Sequence, residues 1–380
     1  MNKEKIITKT NIILGVIVIS SLVGILFSTK TFIGFNKKVA TLKEANKPVN
    51  VKITKITDSS CSNCFNIDNA ISTFKKLNVK VEEENSFEFN SNEGKELIDK
   101  FQIKKIPTYI VTGDVSNKKL NNFIDVNGEI KDDNFIFTKV LPVYKDTTSN
   151  LEMGNVTATL ITDPDCTKCT NLKPIIEEFK KANVKIKELK EIAWNTTEGQ
   201  KIIRQYKITK IPSFIFSSDF DLYDNAKSTW SNFGSVEKDK TYITRNTPLP
   251  YRDLNKGRIL GLVDIIYLTD STCQECYDPE AVQKPIVTSG YGVYLNSETK
   301  IDISSLRGKD LIKKYKITKI PTIILSPEVD QYVNLKNVWK SVGKIEFDGW
   351  YVFTELNQLN NLTYKDLSTN TIVRPVQEQK

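Results

Sequence analysis

The sequence contains no histidine in 380 residues and only two methionines. The first absence is the more consequential. It removes Cys/His dyads, imidazole metal ligands and imidazole proton shuttles, so any chemistry must rest on other groups. Cysteine is also scarce, six in all, and none stands alone: Cys61/Cys64, Cys166/Cys169 and Cys273/Cys276 are three Cys-x-x-Cys pairs. No thiol is left to staple one region to another unless a pair is broken. A bias to one sign of charge is missing as well. The formal charge of +8 comes from 54 Lys and Arg against 46 Asp and Glu, interleaved along the chain. No stripe follows a phosphate backbone, so no nucleic-acid partner is expected, and the charge reads as a solvated surface.

Long apolar runs are absent with one exception. From Thr10 to Thr29 there are twenty residues without a charge, and Ile12 to Phe27 is nearly all apolar. Such a run makes a helix of about 30 Å, enough to span a bilayer. A secretory signal has a shorter apolar core and a small-x-small cleavage site, which the Phe27-Ser28-Thr29-Lys30 neighbourhood does not show. The expectation is a cytoplasmic N-terminus at 1–9, a retained transmembrane anchor at 10–29 and a linker at 30–47. Lysines flank the span on both sides, so the positive-inside count does not orient it. Paired cysteines suit an oxidising compartment. A single-pass membrane protein with its C-terminal domains extracytoplasmic, periplasmic or at the cell surface, is therefore expected.

The remaining chain is too long for one core, and it repeats. The Cys pairs recur at about 105 to 110 residues, and each is followed by an Ile-Pro step: Cys61 to Pro107 is 46 residues, Cys166 to Pro212 is 46 and Cys273 to Pro321 is 48. Two landmarks holding that separation three times fix the architecture. Each pair follows a β-prone run ending in Thr-Asp, at Val51 to Asp58, Val156 to Asp163 and Val263 to Asp270. Apolar residues then return at helical spacing, as Ile67, Ile71, Phe74 and Leu77. That spacing predicts a strand, a turn, and a helix with the cysteines at its N-terminus. In the third repeat, Pro279, Pro285 and the Gly290/Gly292 pair predict a short or broken first helix.

A second amphipathic stretch opens at Glu93-Gly94-Lys95, Glu198-Gly199-Gln200 and Arg307-Gly308-Lys309. It leads to Lys105-Ile106-Pro107, Lys210-Ile211-Pro212 and Lys319-Ile320-Pro321. Further β-prone runs follow, giving βαβαβ and then a closing strand. Each unit ends in Tyr144-Lys145-Asp146, Tyr251-Arg252-Asp253 or Tyr364-Lys365-Asp366. Domains are expected at 48–147, 154–253 and 258–368, with polar linkers between them and a flexible tail at 369–380.

A strand, a Cys-x-x-Cys turn into a helix, and Ile-Pro-Thr about 46 residues later resembles the thioredoxin superfamily over nearly everything after residue 48. The resemblance implies an α/β fold of three tandem thioredoxin-like domains, each a central mixed sheet flanked by helices, as in protein disulfide isomerase-like chains. It also implies cis bonds at Pro107, Pro212 and Pro321, which pack beside the sulfurs and form a substrate-binding edge with Ile106, Ile211 and Ile320. Cys61, Cys64, Cys166, Cys169, Cys273 and Cys276 become the redox residues. The likeness has limits. The Trp and the buried proton-relay Asp of thioredoxin are not at their expected places.

The chemistry follows from the thiols. The first cysteine attacks as a thiolate stabilised at a helix N-terminus, and the second resolves the mixed disulfide, with no cofactor and no metal. Lys168 beside Cys166 favours the thiolate, whereas Glu275 and Asp278 around the third pair oppose it, so reactivity is expected to fall from Cys166 to Cys61 to Cys273. Asp58, Asp163 and Asp270 are either turn residues capping loop amides or proton acceptors for the resolving cysteine. Trp230 and Trp339, at one offset from their prolines, are core aromatics or ligand platforms. A four-thiolate zinc site would need pairs from separate domains to meet. The sequence thus points to a membrane-anchored thiol–disulfide oxidoreductase or isomerase acting on protein thiols and disulfides, with its electron donor or acceptor unnamed. The alternative is a redox-inert binding or scaffold protein with structural disulfides.

Overall fold

The computed structural model describes residues 47–359 and 362–375, together with Lys38. The expected anchor at 10–29 lies outside the described residues, and among those described no helix is long and apolar enough to cross a membrane. The chain divides after Met153 into a unit with one repeat and a unit with two.

Each repeat builds a five-stranded mixed sheet in the same order. In the first, the order from one edge is Val79–Glu88, Val49–Thr57, Thr108–Gly113, Asn134–Phe137, Gly128–Lys131. The first two strands are parallel and every later neighbour is antiparallel. The second repeat follows with Ile186–Ala193, Val156–Thr162, Ser213–Phe216, Tyr242–Thr244 and Gly234–Val236. The third has Tyr294–Asp302, Leu262–Thr269, Thr322–Leu325, Tyr351–Phe353 and Gly343–Ile345. The strand before the third Cys pair is apolar from Val263 to Leu268 at every position except Asp264 because both its faces are covered. In the third repeat Val263, Ile265 and Tyr267 enter one core cluster while Ile266 and Leu268 enter the other, the period-two alternation of a strand buried on two sides.

The second amphipathic stretch of each repeat is a helix, at Asn92–Phe101, Thr197–Tyr206 and Leu306–Tyr315. Ser91, Thr196 and Ser305 cap these helices by accepting from the backbone N–H of Gly94, Gly199 and Gly308. Those glycines are required by close approach. A Cβ at any of them would lie 2.1 to 2.2 Å from the carbonyl oxygen of Glu88, Ala193 or Asp302.

The first helix of the third repeat is short, as expected: it runs Pro279–Pro285 and gives way to a π-helical turn at Ile286–Gly290. The outer hairpin strands Gly128–Lys131, Gly234–Val236 and Gly343–Ile345 were not legible as separate elements. Nor was a small three-stranded sheet in each repeat. Its middle strand is the Tyr-basic-Asp step, paired on one side with Lys105–Ile106, Lys210–Ile211 or Lys319–Ile320. On the other side lie Glu152–Met153, Arg258–Leu260 and Thr371–Val373. The polar stretches after each Tyr-basic-Asp step are therefore hairpin bends. Arg258–Leu260 pairs with the second repeat, and order continues past residue 368 through the last of these strands.

Candidate active site

Each Cys pair sits in a double turn. The N–H of Cys61 reaches Asp58 O at 3.1 Å and that of Cys64 reaches Cys61 O at 3.4 Å. The same two bonds recur at Cys166/Cys169 and Cys273/Cys276. Each pair is closed as a disulfide. The helices begin only at Ile67, Lys173 and Pro279. The expectation that the cysteines occupy a helix N-terminus is thus corrected. Two consecutive turns, opened by the aspartate, use up the residues that would have formed the first helical turn. Cys61, Cys166 and Cys273 are each 8% exposed, and the second cysteine of each pair is half-buried.

The aspartates ahead of the pairs fill two roles at once. Asp58 Oδ1 accepts from the Ser60 N–H at 2.9 Å, Asp163 Oδ1 from the Asp165 N–H at 3.1 Å, and Asp270 Oδ1 from the Thr272 N–H at 2.9 Å. This is the expected turn capping. The second oxygen meets a cation: Asp58 Oδ2 with Lys145 Nζ at 2.7 Å, Asp163 Oδ2 with Arg252 Nε at 2.6 Å, and Asp270 Oδ2 with Lys365 Nζ at 2.7 Å. These cations are the central residues of the Tyr-basic-Asp steps. That step was visible as a repeat in the sequence, but nothing local gave its partner.

Burial pushes the Asp58 and Asp270 carboxyls up, yet hydrogen bonds from Lys145 and Ser60, and from Lys365 and Thr272, outweigh it and hold both below the usual carboxylate range. In the second repeat Trp194 Nε1 also donates to Asp163 Oδ1 at 3.1 Å, and the Arg252 guanidinium lies over the Trp194 ring at 5.3 Å.

The small sheet ties these pairs to the Ile-Pro steps. Ile106 is opposite Lys145, Ile211 opposite Arg252, and Ile320 opposite Lys365. The bonds Ile106–Pro107, Ile211–Pro212 and Ile320–Pro321 are cis. The same chain segment also holds the far end of the Cys loop: Phe65 N–H donates to Val143 O at 2.7 Å, Thr170 to Pro250 O at 2.8 Å, and Tyr277 to Thr363 O at 3.0 Å. Each Cys turn is thus clamped at both ends by one hairpin. In the third repeat Cys273, Cys276 and Pro321 line a single groove of ≈ 520 Å³ with Asp270, Tyr277 and Lys300.

The charged residues expected to rank the sites make contacts of their own. Lys168 Nζ donates to Asn296 O at 2.9 Å and Asn296 Oδ1 at 2.8 Å, which commits it to the third repeat. Glu275 is held by Arg374 in a two-pronged pair at 2.7 and 2.8 Å, and Asp278 lies 3.4 Å from Lys300. Those two acidic charges beside the third pair are each met by a cation, and the Lys168 ammonium beside the second is drawn to neutral acceptors of the third repeat. Asp163, Cys166 and Cys169 bring possible ligand atoms within 4.8 Å of one another. Both Asp163 oxygens already accept hydrogen bonds and the sulfurs are bonded to each other, so all three residues of this cluster are engaged in the clamp and its disulfide. Trp230 and Trp339 are each 2% exposed and belong to the core.

No family model and no curated protein matches the chain. Solved structures similar to it include the NTD_N/C domain of the alkylhydroperoxide reductase AhpF from Enterococcus faecalis, at 19% identity over 46% of this chain and 83% of that one, with a TM-score of 0.15. Full-length ERdj5 is similar at 10% identity over 72% of this chain and 41% of that one, TM-score 0.17. Human ERp44 form II is similar at 12% identity over 83% and 90%, TM-score 0.14. Likeness at this level adds nothing to the geometry above.

Proposed function

We propose that the chain is a thiol–disulfide oxidoreductase or isomerase, held to a membrane by residues 10–29, whose three domains act on extracytoplasmic protein thiols. The observation that carries this reading is the threefold recurrence of one arrangement: a Cys-x-x-Cys disulfide, a buried aspartate–cation pair, and the Ile-Pro strand opposite that cation. A merely structural bridge needs no such company.

In the oxidising direction a substrate thiolate attacks one sulfur of the pair. The S–S bond breaks, a mixed disulfide forms, and the other cysteine leaves as a thiolate. A second substrate thiolate then attacks the mixed disulfide. The substrate gains a disulfide, and two electrons remain on the chain as a dithiol. The reverse sequence reduces a substrate. Ile106, Pro107, Ile211, Pro212, Ile320 and Pro321 form the edge along which the substrate lies.

The clamp supports this chemistry by keeping a carboxylate next to the sulfurs, within 4.8 Å of both in the second repeat. There it can take the proton of the resolving cysteine as the pair closes in the reducing direction. Reduction of insulin and refolding of a scrambled disulfide protein separate reductase from isomerase. The proposal expects activity in at least one, and inactivity in both with intact thiols contradicts it.

A further inference from the structure

Three positions that strand register makes equivalent carry different residues. In each repeat the strand before the Cys pair ends on a threonine, and the parallel edge strand sets Glu88 beside Thr57, Ala193 beside Thr162 and Asp302 beside Thr269. The residue after each clamp aspartate varies in step with them. Ser59 donates its N–H to Glu88 Oε2 at 2.9 Å, and Ser271 donates its own to Asp302 Oδ2 at 2.6 Å. In the second repeat that residue is Pro164, which has no N–H, and the acid is replaced by Ala193.

Capping accounts for an acceptor at position 302 but not for a charge, because a neutral asparagine oxygen also accepts an N–H. The Asp302 carboxylate belongs to the wall of the ≈ 520 Å³ groove that Cys273, Cys276 and Pro321 line. The other charged groups of that wall are paired, Asp270 with Lys365 at 2.7 Å and Asp278 with Lys300 at 3.4 Å. Asp302 instead takes the uncharged N–H groups of Ser271 and, at 2.8 Å, of Ser304, which leave its charge in place. The bonds from Ser304 and Ser271 outweigh burial and lower its carboxyl from 3.8 to about 2, so it is ionised at any pH where thiols exchange. The groove at the third pair therefore carries one negative charge in excess, and the second pair has none at the matching place.

We infer that Asp302 selects the substrates of the third pair, favouring polypeptide segments that carry a lysine or arginine beside the cysteine. The inference rests on the proposed exchange function and names the substrate class of one of its sites. When a substrate thiolate attacks one sulfur, the S–S bond breaks, a mixed disulfide forms and the other cysteine leaves as a thiolate. A cation flanking the substrate cysteine is attracted by Asp302 during that step, and a flanking carboxylate is repelled. The preference is worth about threefold, the scale of a partly exposed ion pair, and is screened by salt. Ala193 gives the second pair no such preference, so the repeats divide substrates by charge.

The test uses the oxidised full chain and three peptides that differ only in the residues on either side of one cysteine: lysine, glutamine or glutamate. After acid quenching and alkylation, mass mapping counts the adducts at the second and the third pair separately. Comparing two pairs within one chain cancels the intrinsic reactivity of each peptide. Expected is a lysine-to-glutamine ratio about threefold higher at the third pair than at the second, with the glutamate-to-glutamine ratio lower, both differences shrinking at high salt. Asp302→Glu, which copies the first repeat, keeps the preference. Ser271→Pro combined with Asp302→Ala, which copies the second repeat and leaves no orphan amide at position 271, abolishes it. Asp302→Asn serves if the double variant does not fold. Equal ratios at the two pairs, or a preference that these neutral variants retain, overturn the inference while exchange itself stands. Absence of adducts at every pair with every peptide overturns exchange and the inference together.

Discussion

The aspartate three residues before each first cysteine is the residue on which the site turns. Its carboxylate is nearly removed from water, with the side chain of Asp163 0% exposed and that of Arg252 18% exposed. Removing one member of a buried pair leaves the other uncompensated, so Arg252→Met is expected to destabilise by roughly 3 kcal/mol, the low end for such pairs because the arginine keeps some solvent contact. Urea unfolding of the oxidised chain measures it. The carboxyls also set an acid limit. Asp58 and Asp270 lie below the usual range, and Asp302, held by hydrogen bonds to Ser304 and Ser271, is lowered from 3.8 to about 2. A carboxyl depressed on folding contributes stability that is present above its unfolded value and lost as pH falls through the folded one. Stability is therefore expected to decline as pH falls below about 4 and to continue declining toward about 2, read as a falling urea midpoint.

At the scale of elements, the parts that were legible in the sequence are those with a strong period or a fixed landmark. The central strands, with Val263 to Leu268 apolar at every position but one, and the helix opened by Glu198-Gly199-Gln200 are of this kind. The glycine of that helix shows how a local motif encodes packing. Gly199→Ala places a methyl against the Ala193 carbonyl oxygen and should cost about 1–3 kcal/mol. A thermal melt that leaves the variant unchanged would show that the helix can shift away from its strand. What was not legible lies in short elements. Lys105–Ile106 and Tyr144–Asp146 are too brief to show alternation, and their pairing is a long-range event that no window of sequence contains. For the same reason Lys145, Arg252 and Lys365 could be seen to repeat but not to reach Asp58, Asp163 and Asp270. The start of the helices after the cysteines was misjudged because turn capping by those aspartates competes with the first helical turn.

Across the whole molecule, the second and third repeats of one unit are joined at a chemically sensitive place. Lys168 lies between Cys166 and Cys169, and Asn296 lies on the edge strand Tyr294–Asp302 of the next repeat. Asn296 is itself anchored by Asp264 at 2.8 Å. Asn296→Ala removes one of the two acceptors that hold the Lys168 ammonium and leaves the Asn296 backbone carbonyl in place, so alkylation of the reduced second pair should speed up by no more than about twofold at low ionic strength and less at high salt. No change in rate would mean that the backbone carbonyl alone keeps the ammonium from the sulfurs.

In the proposed function the paired cysteines exchange with protein partners. The most direct measurement replaces Cys64, Cys169 and Cys276 by alanine in the full chain and looks for mixed disulfides on non-reducing gels after incubation with a reduced-and-reoxidised unfolded protein. Dithiothreitol-sensitive adducts through Cys61, Cys166 or Cys273 are expected. A folded chain with titratable thiols that forms no adduct would contradict that function.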